Sequence, residues 1–330
     1  MSKIVITNPV FAETRRMLEA YGDVVENRNL EPWPAKELRA HLSDARALLA
    51  FMTDSVDAEM LSAAPHLDIV ACALKGYDNF DVEACAREGV WVSIVPDLLT
   101  APTAELAIAL MLGLSRKVLC GDQLVRHENF RGWRAQLYGL GLERSTVGIL
   151  GYGKVGTAIA IRLQGFGARV IAYDPKCQLG QKTAEGAEFV PIDTLQSASD
   201  FVVVALPLTG QTHHFVDRHF LSRLQPHVCL VNVGRGSVVN EKDVAEALQR
   251  DDIGGYAADV FEFEDWSCKG HPDHIDPRLL ADPARTLFTP HLGSAVERTR
   301  REIELRAAEN IVDVLNGKTP RDAINSPHRR

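Results

Sequence analysis

Three side chains able to bind an anion or move a proton stand just after apolar runs that read as strands. Arg235 lies in Asn232-Val233-Gly234-Arg235-Gly236-Ser237. Glu264 closes Asp259-Val260-Phe261-Glu262-Phe263-Glu264, and His291 sits in Thr289-Pro290-His291-Leu292-Gly293-Ser294. Arginine offers a planar fork of N–H donors that suits an oxyanion. Histidine exchanges a proton near neutral pH, and a carboxylate bonded to one ring nitrogen fixes its tautomer and favours the charged ring. Singly, these are a surface arginine, a capping glutamate and a loop histidine. At the carboxyl ends of parallel strands they can converge, because open α/β sheets bind ligands there.

The element that must position them is Thr146-Val147-Gly148-Ile149-Leu150-Gly151-Tyr152-Gly153-Lys154-Val155-Gly156. A short apolar strand feeds Gly151-x-Gly153-x-x-Gly156, and a helical pattern runs from Val155 to about Phe166. A second strand, Arg169 to Tyr173, ends at Asp174, 18 positions beyond Gly156. This order of strand, glycines, helix, strand and acid is a dinucleotide-binding fingerprint. Gly151 permits the tight turn, Gly153 leaves room for a pyrophosphate, and Gly156 lets helix and strand approach. The helix start offers unpaired N–H groups to phosphate. A carboxylate at 174 can accept from both ribose hydroxyls and repels a 2′-phosphate, so NAD is expected over NADP.

The chain has 330 residues, which suggests two domains, with 46% apolar and 24% charged residues. A net charge of −8 argues against nucleic-acid or polybasic membrane surfaces. The opening apolar run is too short for a signal peptide, and no run would span a bilayer. Six cysteines are scattered without a C-x-x-C or a zinc-like spacing, so no metal is expected and a reducing, cytoplasmic setting fits.

Up to about residue 98, strands at Lys3–Thr7, Leu48–Phe51, Ile69–Ala73 and Val90–Ser93, with a weaker one at Val24–Val25, alternate with helical patterns. That alternation implies a parallel sheet covered on both faces. Thr100-Ala101-Pro102-Thr103 opens a long helix that could bridge two domains, with Thr100 as cap and Glu105 near its positive end. The fingerprint unit continues through strands at Phe201–Ala205, Val228–Asn232, Tyr256–Val260 and Thr286–Thr289. A last helix, Glu297 to Leu315, is expected to return to the first unit. The expected fold is therefore α/β, with two Rossmann-like or flavodoxin-like domains built on parallel sheets. A discontinuous substrate domain takes 1–99 and 291–330, and an NAD-binding domain takes 100–290. The Arg-rich patches read as solvated faces. His213-His214 receives no role, and Cys72 and Cys229 read as core.

Gly151-x-Gly153-x-x-Gly156, Gly234-Arg235-Gly236, Asp259-Val260-x-x-x-Glu264 and Pro290-His291-x-Gly293 together resemble the signature of the D-2-hydroxyacid dehydrogenase family, over essentially the whole chain. The resemblance implies Arg235 as substrate anchor, His291 as general acid/base and Glu264 as its partner. It also implies a cofactor set of Thr103, Gly151, Gly153, Lys154, Val155, Gly156, Asp174, Leu206, Pro207, Gly234 and Asp259. Further stretches resemble the phosphite dehydrogenases within that family: Phe51-Met52-Thr53-Asp54, Ala73 to Asp81, Val95 to Thr100, Gly132-Trp133, Leu137-Tyr138-Gly139 and Asp265-Trp266. By that likeness Lys75, Gly76, Met52, Leu99, Trp133, Tyr138 and Ser294 line the substrate pocket. The implied reaction is NAD-dependent oxidation of phosphite, a small anion, to phosphate by a homodimer, with the long helix a candidate interface. Thr53 departs from the proline of those relatives, and Pro175-Lys176 after Asp174 is a second departure. Read without the likeness, Lys75 is a surface charge, Met52 filler, and Trp133 and Tyr138 core or interface. Two alternatives stay open: a D-2-hydroxyacid dehydrogenase or 2-oxoacid reductase, and an NADH-sensing, co-repressor-like binding module.

Overall fold

The computed structural model describes residues 2–127, 130–265, 268 and 270–327. Trp266, part of one motif above, lies outside them. Contacts group the chain into two units, Met1–Leu99 with Val296–Arg330, and Thr100–Ala295.

In the first unit, β1 (Ser2–Ile6), β2 (Gly22–Glu26), β3 (Ala45–Ala50), β4 (Ile69–Cys72) and β5 (Trp91–Ser93) form a parallel sheet in the order β2-β1-β3-β4-β5. Successive residues of β1 point to opposite sides. Ile4 and Ile6 pack with Leu18, Ile303, Ala307 and Ile311, while Val5 packs with Leu38, Leu42 and Met60. Both faces are buried, so these strands read as apolar runs instead of alternating ones. Asp57 and Asp81 start the helices Ala58–Ser62 and Val82–Arg87 by accepting from the N–H groups of Met60 and Ala84. The last helix, Glu297–Leu315, covers this sheet with Ile303, Ala307 and Ile311. Its Arg-rich start is not wholly a solvated face. Arg300 is half-buried, donates to the Ala73 carbonyl at 3.2 Å and lies over the Phe51 ring.

In the second unit, β6 (Thr146–Leu150), β7 (Arg169–Tyr173), β8 (Glu188–Phe189), β9 (Phe201–Val204), β10 (Cys229–Asn232), β11 (Gly255–Ala258) and β12 (Thr286–Phe288) form a parallel sheet. Its order is β12-β11-β10-β9-β6-β7-β8. Sequence order reverses where β6 meets β9, which makes the carboxyl ends of that pair the switch point. One face packs under the helices Thr100–Ser115 and Lys154–Leu163 through Ala107, Met111, Ile159 and Leu163. The other packs under Leu195, Phe220, Val244 and Leu248.

Helix Thr100–Ser115 groups with this unit. The helix already includes Thr100, whose buried hydroxyl has no hydrogen-bond partner, so it does not act as the expected cap. Glu105 lies beyond the first turn and pairs with Arg162 at 3.0 Å. Residues 291–295 also stay with this unit, past the expected boundary at 290. Two elements were not anticipated. β8 has two residues, too few to show a period. Helix Val118–Arg126 buries no residue and has no polar cap; its preceding Lys117 takes a left-handed φ of 55°.

Candidate active site

The glycine turn leaves β6 at the switch point. Gly151 has φ +89°, and a Cβ there would lie 2.9 Å from the Ala205 carbonyl oxygen. A Cβ on Gly156 would come within 2.3 Å of the Gly151 carbonyl oxygen, so helix and turn touch through backbone. Gly153 differs: nothing lies within 4 Å of its would-be Cβ. An open glycine before the helix start at Lys154 and Val155 is the cradle a diphosphate requires. Asp174 ends β7 with one carboxylate oxygen accepting from the Tyr152 N–H at 3.0 Å and the other from the Lys176 N–H at 3.0 Å. On the far side of the switch point, a Cβ on Gly234 would lie 2.6 Å from the Leu206 carbonyl oxygen. That contact brings the loop carrying Leu206 and Pro207 against the loop after β10. These residues fit a dinucleotide and would hold its diphosphate, its ribose and the flank of its nicotinamide.

Past the carboxyl end of β12, His291 Nδ1 lies 2.7 Å from Glu264 Oε2. Glu264 sits in a short 3₁₀ turn, Glu262–Glu264, and its other oxygen accepts from the Phe261 N–H at 2.8 Å. Both oxygens are thus engaged. Bonding at Nδ1 leaves Nε2 as the ring atom able to exchange a proton with a substrate. His291 takes a left-handed φ of 54°, uncommon for a residue with a Cβ. Asp259 holds it there. The Asp259 carbonyl accepts from the His291 N–H at 2.9 Å. Its side chain accepts from Leu292 N–H at 2.6 Å, Gly293 N–H at 2.8 Å and the Thr289 hydroxyl at 2.6 Å. Burial pushes the Asp259 carboxyl pKa up against these donors. Thr103 joins the same loop by donating to the Gly293 carbonyl at 3.3 Å. Thr103 and Asp259, both expected to serve the cofactor, are seen here fastening the histidine loop. This loop is why residues 291–295 stay with the second unit.

Arg235 follows β10. The fully buried Asn232 shapes its loop by accepting from the Gly234 N–H at 3.1 Å and donating to the Arg235 carbonyl at 2.9 Å. At Gly236 a Cβ would overlap the Phe261 carbonyl carbon at 1.9 Å, so this loop lies flush on the turn that carries Glu264. The second unit therefore brings Arg235, Glu264 and His291 to the ends of three neighbouring strands, β10, β11 and β12.

The other expected residues are distributed differently. Met52 follows β3, Lys75 and Gly76 follow β4, and Leu99 follows β5, all in the first unit. Met52 and Leu99 are partly buried against the two cores of that unit, which suits the bland reading of Met52. Ser294 stands beside Gly293 in the second unit. Trp133 and Tyr138 are neither core nor enclosed: they are 80% and 76% exposed in a stretch without helix or strand. Three residues with well-defined partners had no role assigned from the sequence. Asp54 accepts from the Thr7 hydroxyl and from the Phe51 N–H at 2.7 Å, and burial pushes its carboxyl up to about 6. It shapes the loop of Met52. Arg300 braces the loops after β3 and β4. His214 pairs with Glu262 at 2.8 Å. Apart from Phe51, their partners lie far away in sequence, where no local spacing could reveal them. Among the described residues no group of side chains could hold a metal ion, and no helix is long and apolar enough to cross a membrane.

Residues 108–293 match the family model for the NAD-binding domain of D-isomer specific 2-hydroxyacid dehydrogenases. The glyoxylate reductase of Thermococcus litoralis is 32% identical over 328 residues, covering 98% of this chain and 96% of that protein. A crystal structure of a Thermus thermophilus protein superposes with a TM-score of 0.88 at 31% identity, covering 98% of this chain and 100% of the other. The NADPH-dependent glyoxylate/hydroxypyruvate reductase of Sinorhizobium meliloti, solved with NADP and malonate, has a TM-score of 0.85 at 29% identity, covering 100% and 98%. The glycine cradle, the paired sheets and these relatives agree: the chain belongs to the D-isomer specific 2-hydroxyacid dehydrogenase family and carries that family's NAD-binding domain.

Proposed function

We propose that the protein is an NAD-dependent 2-hydroxyacid dehydrogenase that reduces a small 2-oxoacid of the size of glyoxylate or hydroxypyruvate. The observation that carries this reading is the Glu264–His291 pair beside Arg235, at the strand ends flanking the dinucleotide cradle. Arg235 supplies two parallel donors to the substrate carboxylate. His291, with Nδ1 held by Glu264, gives the proton at Nε2 to the carbonyl oxygen as that carbon becomes tetrahedral. Bound NADH supplies the hydride. Named relatives are glyoxylate reductases, which supports an oxoacid over phosphite. The phosphite reading of the sequence is thereby demoted. Lys75 is the residue that chiefly favours it, since a third oxygen of a compact anion needs a further donor. The deciding experiment measures kcat/KM for NADH oxidation with glyoxylate and hydroxypyruvate, and for NAD reduction with phosphite, D-lactate and D-glycerate. Glyoxylate or hydroxypyruvate is expected to lead. Faster turnover of phosphite, lost in Lys75→Ala, would return the assignment to phosphite. Negligible turnover of every acid, with NADH still bound, would point to the sensing module.

For the cofactor, the anchored carboxylate of Asp174 favours NAD. Asp174→Ala is expected to narrow the NADH-over-NADPH preference in kcat/KM by about tenfold, near 1.4 kcal/mol. Equal use of both cofactors by the wild type would remove Asp174 as the selector.

A further inference from the structure

The short turn that carries Glu264 holds a second histidine–glutamate pair. His214 Nε2 lies 2.8 Å from Glu262 Oε2, two residues before the glutamate that holds His291. Both histidines have left-handed backbones, with φ 51° at His214 and 54° at His291. The other oxygen of Glu262 accepts from the Glu241 N–H at 2.7 Å, and Glu241 returns the bond by accepting from the Glu262 N–H at 2.8 Å. His214 also reaches the arginine loop, since its backbone N–H donates to the Ser237 carbonyl at 2.7 Å. The Ser237 N–H in turn donates to Asp265 at 2.6 Å, just past the turn. One residue thus bonds both the loop of Arg235 and the turn of Glu264.

We propose that His214 is a positioning residue that locks the Arg235 loop to the Glu262–Glu264 turn, keeping the anion clamp and the acid–base pair in one register. The inference rests on the roles read above for Arg235 and His291. A turn of three residues has little internal rigidity, so its orientation depends on what its side chains grip. Glu264 must meet His291 Nδ1 at 2.7 Å, and a small rotation of the turn would break that bond. The negative groups facing His214 are Glu262, Asp217 and Asp243, and the Glu262 bond is the main cause holding its ring pKa up. His213 stacks beside it with ring centroids 4.0 Å apart. Around the Glu264–His291 pair lie Asp259, Glu262 and Glu241; burial pushes the Glu241 carboxyl alone up to about 7.

The test compares wild type, His214→Ala, His214→Gln and Glu262→Gln as full chains, measuring kcat and KM separately and NADH affinity by fluorescence. The substrate is glyoxylate, or whichever acid of the panel is turned over. His214→Ala is expected to lower kcat about tenfold with a much smaller change in KM, because a loosened Glu264 holds the His291 ring less well in line with the substrate. NADH affinity should not change. His214→Gln, whose amide can still donate to Glu262, should restore most of the activity. Should His214→Ala fail to fold, Glu262→Gln carries the same expectation. An unchanged kcat in a folded variant overturns the proposal, as does a loss that glutamine does not repair. A His291→Ala control separates the two readings: activity surviving there sinks the acid–base assignment, whereas its loss beside an unaffected His214→Ala sinks only the brace.

Discussion

His291→Ala is expected to lower kcat for the proposed 2-oxoacid reduction by about a hundredfold or more and to leave NADH binding unchanged. The size follows from the task. Hydride addition places negative charge on the carbonyl oxygen, and without a positioned donor that charge must wait for a proton from water. Nothing of the cofactor cradle is lost, because Gly151, Gly153 and Asp174 are held by bonds that do not involve His291. Glu264→Gln should act more mildly, lowering kcat with NADH affinity unchanged, because the single amide oxygen cannot accept both from His291 Nδ1 and from the Phe261 N–H as the carboxylate does. Near-full kcat in His291→Ala at neutral pH would take the residue out of the mechanism.

Arg235→Ala is expected to cost about 3–4 kcal/mol in kcat/KM, several hundredfold, mainly through a higher KM. The net charge of −8 sharpens the effect, since an anionic substrate meets an unfavourable overall field and depends on local cations. Arg235→Lys should recover only part, because an ammonium is a point charge and cannot make two parallel bonds. The measurement is steady-state kinetics against oxoacid concentration, with NADH binding as the control. A KM for the oxoacid unchanged in Arg235→Ala would show that another group anchors the anion.

Much of the framework was readable from the chain because its causes are local. The positive φ at Gly151 and the approach of Gly156 to the Gly151 carbonyl arise within a few residues, so the glycine spacing carries the turn and the close helix. Apolar runs marked the parallel strands because both sheet faces are covered. Arg235, Glu264 and His291 were legible as residues after strand ends, where topology brings them to one edge.

Tertiary structure decided what depends on partners distant in sequence. Asp259 reads as a ligand residue beside its strand, yet its carboxylate is occupied by Leu292, Gly293 and Thr289, 30 or more positions away. His214, with no role in the sequence, finds Glu262 at a separation of 48. Arg300 reads as one charge in a solvated patch and is instead drawn under the loops after β3 and β4. Trp133 and Tyr138, for which the family likeness implies a place in the substrate pocket, are exposed within their own unit. Residue type and spacing determined which groups could do chemistry and on which strands they ride. Packing alone decided which carboxylates hold backbone and which one is aimed at the histidine, because a side chain's acceptors are committed by whatever the fold brings within about 3 Å of them.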